Sequence, residues 1–139
     1  MDRNEFERLR DMPGKVIASD IRLARRNNIV ARVADGIMIG NALDIPLRLN
    51  ISFNPESGAK TINVVIQGVG PICRLDVDGP AHRPAGRCHK HSLQTARCPG
   101  RNLPDAVIDR PDLSGKPITE VFQHFCELAD IQYTGSFEP

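Results

Sequence analysis

Pro46-Leu47-Arg48-Leu49-Asn50-Ile51-Ser52-Phe53 sets an apolar side chain at every second position, and Ile62, Val64 and Ile66 do the same beyond the turn residues Pro55-Glu56-Ser57-Gly58. Successive side chains of an extended chain point to opposite faces. Each stretch therefore reads as a strand with one face buried, the first carrying Arg48, Asn50 and Ser52 on its other face. The turn formers between them make the two strands an antiparallel pair. Gly68 and Gly70 break the second strand. A third follows, with Cys73, Leu75 and Val77 on one face and Arg74, Asp76 and Asp78 on the other, until Gly79-Pro80 ends it. Cys88 to Leu93 can extend once more, and there His89 and His91 share a face.

Outward from this meander, a helix is predicted to open at Asn4 with Glu7 as its capping-box partner. It carries Phe6, Leu9 and Met12 on one side before Pro13-Gly14 stops it. Residues 15–35 alternate loosely around Asn27-Asn28, a pair that tolerates positive φ, and predict a hairpin with Arg25-Arg26 at its tip. Residues 95–116 are rich in Pro, Gly and Asp and read as irregular surface. From Pro117, which suits a first helical position, Ile118, Val121, Phe122, Phe125, Leu128 and Ala129 form the apolar stripe of an amphipathic helix that also holds His124 and Cys126. The expectation is one α+β domain over residues 1–139, an antiparallel sheet of about five strands flanked by N- and C-terminal helices.

With 40% hydrophobic and 25% charged residues and a net charge of +1, the chain is globular in composition. No apolar run approaches the roughly 20 residues of a membrane span, and the N-terminus has no hydrophobic signal core, so a cytoplasmic location is expected. Cys73, Cys88, Cys98 and Cys126 are irregularly spaced, and reduced thiols are expected. Charge is unevenly spread. Residues 71–101 hold six Lys/Arg and two Asp/Glu, whereas residues 105–139 hold two and seven. A basic segment can steer a site toward an anion such as a nucleic-acid backbone, although solvated basic loops are common and stacking aromatics are scarce here.

The chemistry concentrates between Ile72 and His91, where His82, His89 and His91 fall beside Arg74, Asp76 and Asp78. Histidine titrates nearest neutrality, and three of them beside an arginine suit acid/base work on a phosphodiester. If the strand of His89 and His91 pairs beside that of Arg74 and Asp76, the four converge. Arg74, His82, His89 and His91 are the candidate catalytic residues, and Arg83, Arg87, Lys90, Arg97 and Arg101 are candidates to hold a nucleic acid or partner. His82, Cys88, His89, His91 and Cys98 are donor types that zinc accepts. No Cys-x-x-Cys pair is present, however, and adjacent Cys88 and His89 point to opposite faces of a strand, so neither metal nor cofactor is expected. Taken singly, each histidine also reads as a structural residue tying the loop to the sheet, and Arg74 with Asp76 reads as an ordinary cross-strand salt bridge of little energy.

Arg74-Leu75-Asp76-Val77-Asp78-Gly79-Pro80-Ala81-His82, followed by a Pro- and Gly-containing loop and His89-Lys90-His91, resembles a family of small uncharacterised bacterial and phage proteins, a domain of unknown function. Where that family's loop reads Asn-Pro-Asp-Gly this chain has Arg83-Pro84-Ala85-Gly86, and Ser92 stands where an aromatic often follows the His-x-His pair. The resemblance implies a gene carried on mobile elements and a role in conflict between host and invader. Two functions fit that setting. One is a metal-free RNA-cleaving, toxin-like protein; the other is a non-catalytic phage inhibitor of a CRISPR-type nucleoprotein complex, an anti-CRISPR, which needs no catalytic residue. The expected partner is nucleic acid or such a complex, not a membrane.

Overall fold

The computed structural model describes residues 3–25, 29–78, 89–91, 107–109 and 111–139. A short helix α1 (Arg3–Arg10) precedes four strands: β1 (Lys15–Ile17), β2 (Ile21–Arg22), β3 (Ala24–Arg25) and β4 (Arg32–Ile39). The long central strands are β5 (Leu47–Phe53), β6 (Lys60–Ile66) and β7 (Gly70–Val77). Shorter strands β8 (His89–His91) and β9 (Val107–Asp109) follow. A 3-10 turn at Pro111–Leu113 leads into α2 (Ile118–Leu128), and β10 (Ile131–Tyr133) and β11 (Phe137–Glu138) close the chain.

The fold is α+β. Strands β3 to β7 form an antiparallel meander in chain order, and β8 and β9 extend the same sheet to seven strands. Alternation decides its faces: Leu47, Leu49, Ile51, Ile62, Val64, Ile66, Cys73, Leu75 and Val77 are buried, whereas Arg48, Asn50, Ser52, Thr61, Asn63 and Arg74 between them are half-buried. The period-two pattern is thus obeyed in β6 and through Leu47–Ser52 of β5, while in β7 Ile72 and Asp76 are buried as well. A register shift between Val64 and Val65 accommodates Ile72, and a second lies between Ala34 and Ile37. Bulges of this kind add twist and let a sheet curl over its core.

Helix α2 completes the core with Ile118, Val121, Phe122, Phe125 and Cys126. Pro117 stands at its N-cap, one position earlier than expected, and Leu128 is half-buried at the margin of the stripe. Leu9 and Met12 are buried beside the sheet, with Met12 just beyond the end of α1. Among the described residues no helix is long and apolar enough to cross a membrane.

The hairpin expected over residues 15–35 exists only in its second half, where Ala24 pairs with Val33 and Arg25 with Arg32; Asn27 and Asn28 lie outside the described residues. The first half does something else. β1 pairs in parallel with β10, and β2 in parallel with β11, so the two ends of the chain run side by side. Parallel partners cannot be joined by a tight turn, and these lie more than a hundred residues apart, so no local signal announces them. Strand β9 is likewise a correction to the irregular surface expected over residues 95–116. Three residues are too few to show a period, and the pairing with β8 defines the strand.

At the terminal seam, Ser136 N–H donates to Asp20 Oδ1 at 2.9 Å, which holds that carboxyl below the usual carboxylate range. Phe122 meets the Tyr133 ring edge-on at 5.0 Å and stacks on Phe137 at 4.6 Å. Gly135 passes so close to Ser19 that a methyl group on it would overlap the Ser19 carbonyl. The neighbour is backbone and cannot rotate away. Gly135→Ala should therefore destabilise the chain by about 1–3 kcal/mol in urea unfolding; an unchanged midpoint would mean that the seam yields freely.

Candidate functional site

Two columns of directly paired positions cross the sheet on the face away from α2. One runs Ser52, Thr61, Asp76, His89, Asp109; the other runs Asn50, Asn63, Arg74, His91, Val107. Paired positions share a face of a sheet. The strand of His89 and His91 does pair beside that of Arg74 and Asp76, with position 74 opposite 91 and position 76 opposite 89. Position 90 alternates to the other face, in the column of buried Leu75 and of Ile108. His82, Arg83, Arg87, Arg97 and Arg101 lie outside the described residues.

Asp76 organises this face. It is only 6% exposed although it points away from the main core, and a carboxylate so placed requires donors. Its Oδ1 accepts the Thr61 hydroxyl at 2.8 Å and Arg74 Nε at 3.1 Å. The ion pair is therefore a contact along one strand, between residues two apart, with the carboxylate withdrawn from water. The small energy of an exposed pair does not describe it. Thr61 was not singled out by sequence, yet alternation in Lys60–Ile66 puts it on the polar face. Its neighbour Asn63 has a buried Oδ1 with no hydrogen-bond partner among the described residues.

Asp78 does a different job. Its backbone is left-handed, with φ 56°, a conformation that aspartate tolerates better than most residues. Oδ1 accepts the Ser114 hydroxyl at 2.6 Å, Oδ2 accepts Gly115 N–H at 2.7 Å, and Lys60 Nζ lies 3.7 Å from Oδ2. The end of β7 is thus fastened to the lead-in of α2, beside a cleft of about 430 Å³ lined by Phe53, Lys60, Ser114 and Lys116. The tie is long-range, joining residues 36 and 37 positions apart in sequence.

His124 sits on α2, half-exposed, with Nδ1 3.7 Å from Glu127 Oε2 and apart from the polar columns. Cys73 and Cys126 are buried. Burial first, and then the nearby Glu127 charge, push the Cys126 thiol up to about 12, so it is protonated at neutral pH and no nucleophile. Among the described residues no group of three or more His, Cys, Asp and Glu could hold a metal ion. No family model, curated protein or solved structure matches this chain.

Thr61→Val removes one donor from the buried carboxylate while keeping its shape, and should cost about 1–3 kcal/mol in urea unfolding; a variant as stable as the parent would show that Asp76 needs no hydroxyl. Cys126 gives a second prediction. Its unfolded thiol ionises near 9.0 and its folded thiol near 12, so between those values the unfolded chain has lost a proton that the folded chain keeps, and stability falls as pH rises. The parent should lose stability above about pH 9 more steeply than Cys126→Ala. Parallel pH curves for the two would contradict the shift.

Proposed function

We propose that this chain is a nucleic-acid-directed accessory protein of a mobile element or phage, and that its concrete activity is metal-free cleavage of RNA at the face bearing Arg74, Asp76, His89 and His91. What supports the proposal is the register: Arg74 opposite His91 and Asp76 opposite His89 are paired positions of neighbouring strands, so two histidines and an arginine occupy positions of one sheet face. Such a set suffices for phosphodiester transfer. One imidazole takes the proton of a ribose 2′-hydroxyl, and the freed oxygen attacks the adjoining phosphorus. The other gives a proton to the departing 5′-oxygen, and the arginine bears the charge gathering on the phosphorane. The products are a 2′,3′-cyclic phosphate and a 5′-hydroxyl. His82 is a further candidate for either proton transfer, and Arg83, Arg87, Arg97 and Arg101 would hold the strand through its phosphates, whereas position 90, expected to join them, alternates to the other face.

A second reading, the non-catalytic inhibitor of a host defence nucleoprotein complex, draws support from Asp76. A buried carboxylate held by Thr61 and Arg74 is also what a purely structural network contains. The two separate on substitution. Labelled RNA incubated with the purified chain and chelator should be cut to cyclic-phosphate ends, and His89→Ala and His91→Ala should each lower the rate at least 100-fold while folding normally. RNA left intact by a folded protein, with affinity for a nucleoprotein lost in Arg83→Ala and Arg87→Ala, would replace cleavage with the inhibitor.

A further inference from the structure

The register divides the two histidines of the β8 strand electrostatically. Position 89 stands between two carboxylate residues, Asp76 on β7 and Asp109 on β9, whereas position 91 stands between Arg74 and Val107. Directly paired positions in an antiparallel sheet have Cβ atoms about 4.5–5.5 Å apart, close enough for one charge to govern its neighbour's titration. Carboxylates on both sides favour an imidazolium; an arginine on one side and a valine on the other favour the neutral ring. Lys90, between them in sequence, alternates to the opposite face.

We propose that Asp109 is a positioning residue of this site, acting with Asp76 to keep His89 as the imidazolium that protonates the leaving oxygen, while His91 beside Arg74 is the neutral base. The assignment rests on the RNA-cleavage reading and deepens it. Asp76 Oδ1 is shared with Thr61 and with Arg74, which offsets part of its charge, so on this assignment Asp109 adds its own part to the field at position 89. Proton flow then has one direction. His91 receives the 2′-hydroxyl proton, His89 releases its own to the 5′-oxygen, and water resets the pair when the cyclic phosphate leaves.

The test is a titration of ring signals in protein carrying isotope-labelled histidine, assigned with His89→Gln and His91→Gln, beside a pH profile of cleavage. His89 should titrate above the ordinary value of about 6.5 and His91 below it. Asp109→Asn, which keeps shape and removes charge, should lower the His89 midpoint by roughly one unit and draw in the alkaline limb of the cleavage profile by the same amount, with His91 unmoved. Cleavage with an unshifted His89 in Asp109→Asn overturns the coupling and leaves the cleavage reading standing. Shifted midpoints with intact RNA overturn the acid role and the cleavage reading, while the coupling stands. Equal midpoints for the two assigned rings in the parent chain overturn the division of roles.

Discussion

The register between β5, β6 and β7 is the constraint on which the remainder of the molecule depends. Ile62, Val64, Leu49, Ile51 and Leu75, every second residue along their strands, are buried in one core with Phe122 and Phe125. A slip of one residue on any of these strands would drive Thr61, Asn63 or Arg74 into that core and turn the apolar set out to water, at a cost of several apolar side chains of about 1.5–3 kcal/mol each. Register is therefore fixed by hydrophobic burial on one face. The opposite face inherits the same order without further expense of apolar surface. Arg74 lies beside Asn63 and Asp76 beside Thr61 because Leu75 lies beside Ile62.

The two parallel seams at the chain ends perform the complementary task. A curled antiparallel sheet with one helix leaves an open side, and β1 with β10 and β2 with β11 bring apolar Ile17, Ile21 and Ile131 across it. Lys15 and Lys60 are buried in the same structure, and both solve the problem of a charge in the interior in one way. The alkyl stem packs inside and the ammonium reaches a carbonyl at the boundary, Arg10 O at 2.6 Å for Lys15 and Gly58 O at 2.8 Å for Lys60.

Alternation made the central strands and both helices legible, because Leu47 to Ile66 and Ile118 to Phe125 each repeat long enough for a period to stand out. The polar character of the Arg74 and Asp76 face followed from the same rule. What was hidden has a common cause. Ile21–Arg22, Phe137–Glu138 and Val107–Asp109 are two or three residues long, and their identity as strands comes from partners elsewhere in the chain. The connection of Asp109 to His89 is hidden for that reason, since nothing local distinguishes it from the other aspartates of a Pro- and Asp-rich stretch. The burial of Asp76 is hidden too. A sequence shows which face a residue takes but not how deeply neighbouring strands cover it.

That depth bears on what Arg74 can do. An arginine on a surface strand must give up the freedom of a long side chain each time it meets an anion. Here Nε is engaged by a carboxylate that is itself held by Thr61, so the plane of the guanidinium is set in advance. Among the described residues its two Nη groups have no acceptor. A guanidinium offers paired N–H groups in a rigid fork that matches two oxygens of a phosphate, and a fork already oriented loses little entropy on engaging them. Under the proposed function, such an arrangement gives the carboxylate a reason to be kept in a costly place. A hydrophobic residue at position 76 would pack with less penalty, but it would release the arginine, and the face would retain its positive charge while losing the direction in which that charge is presented.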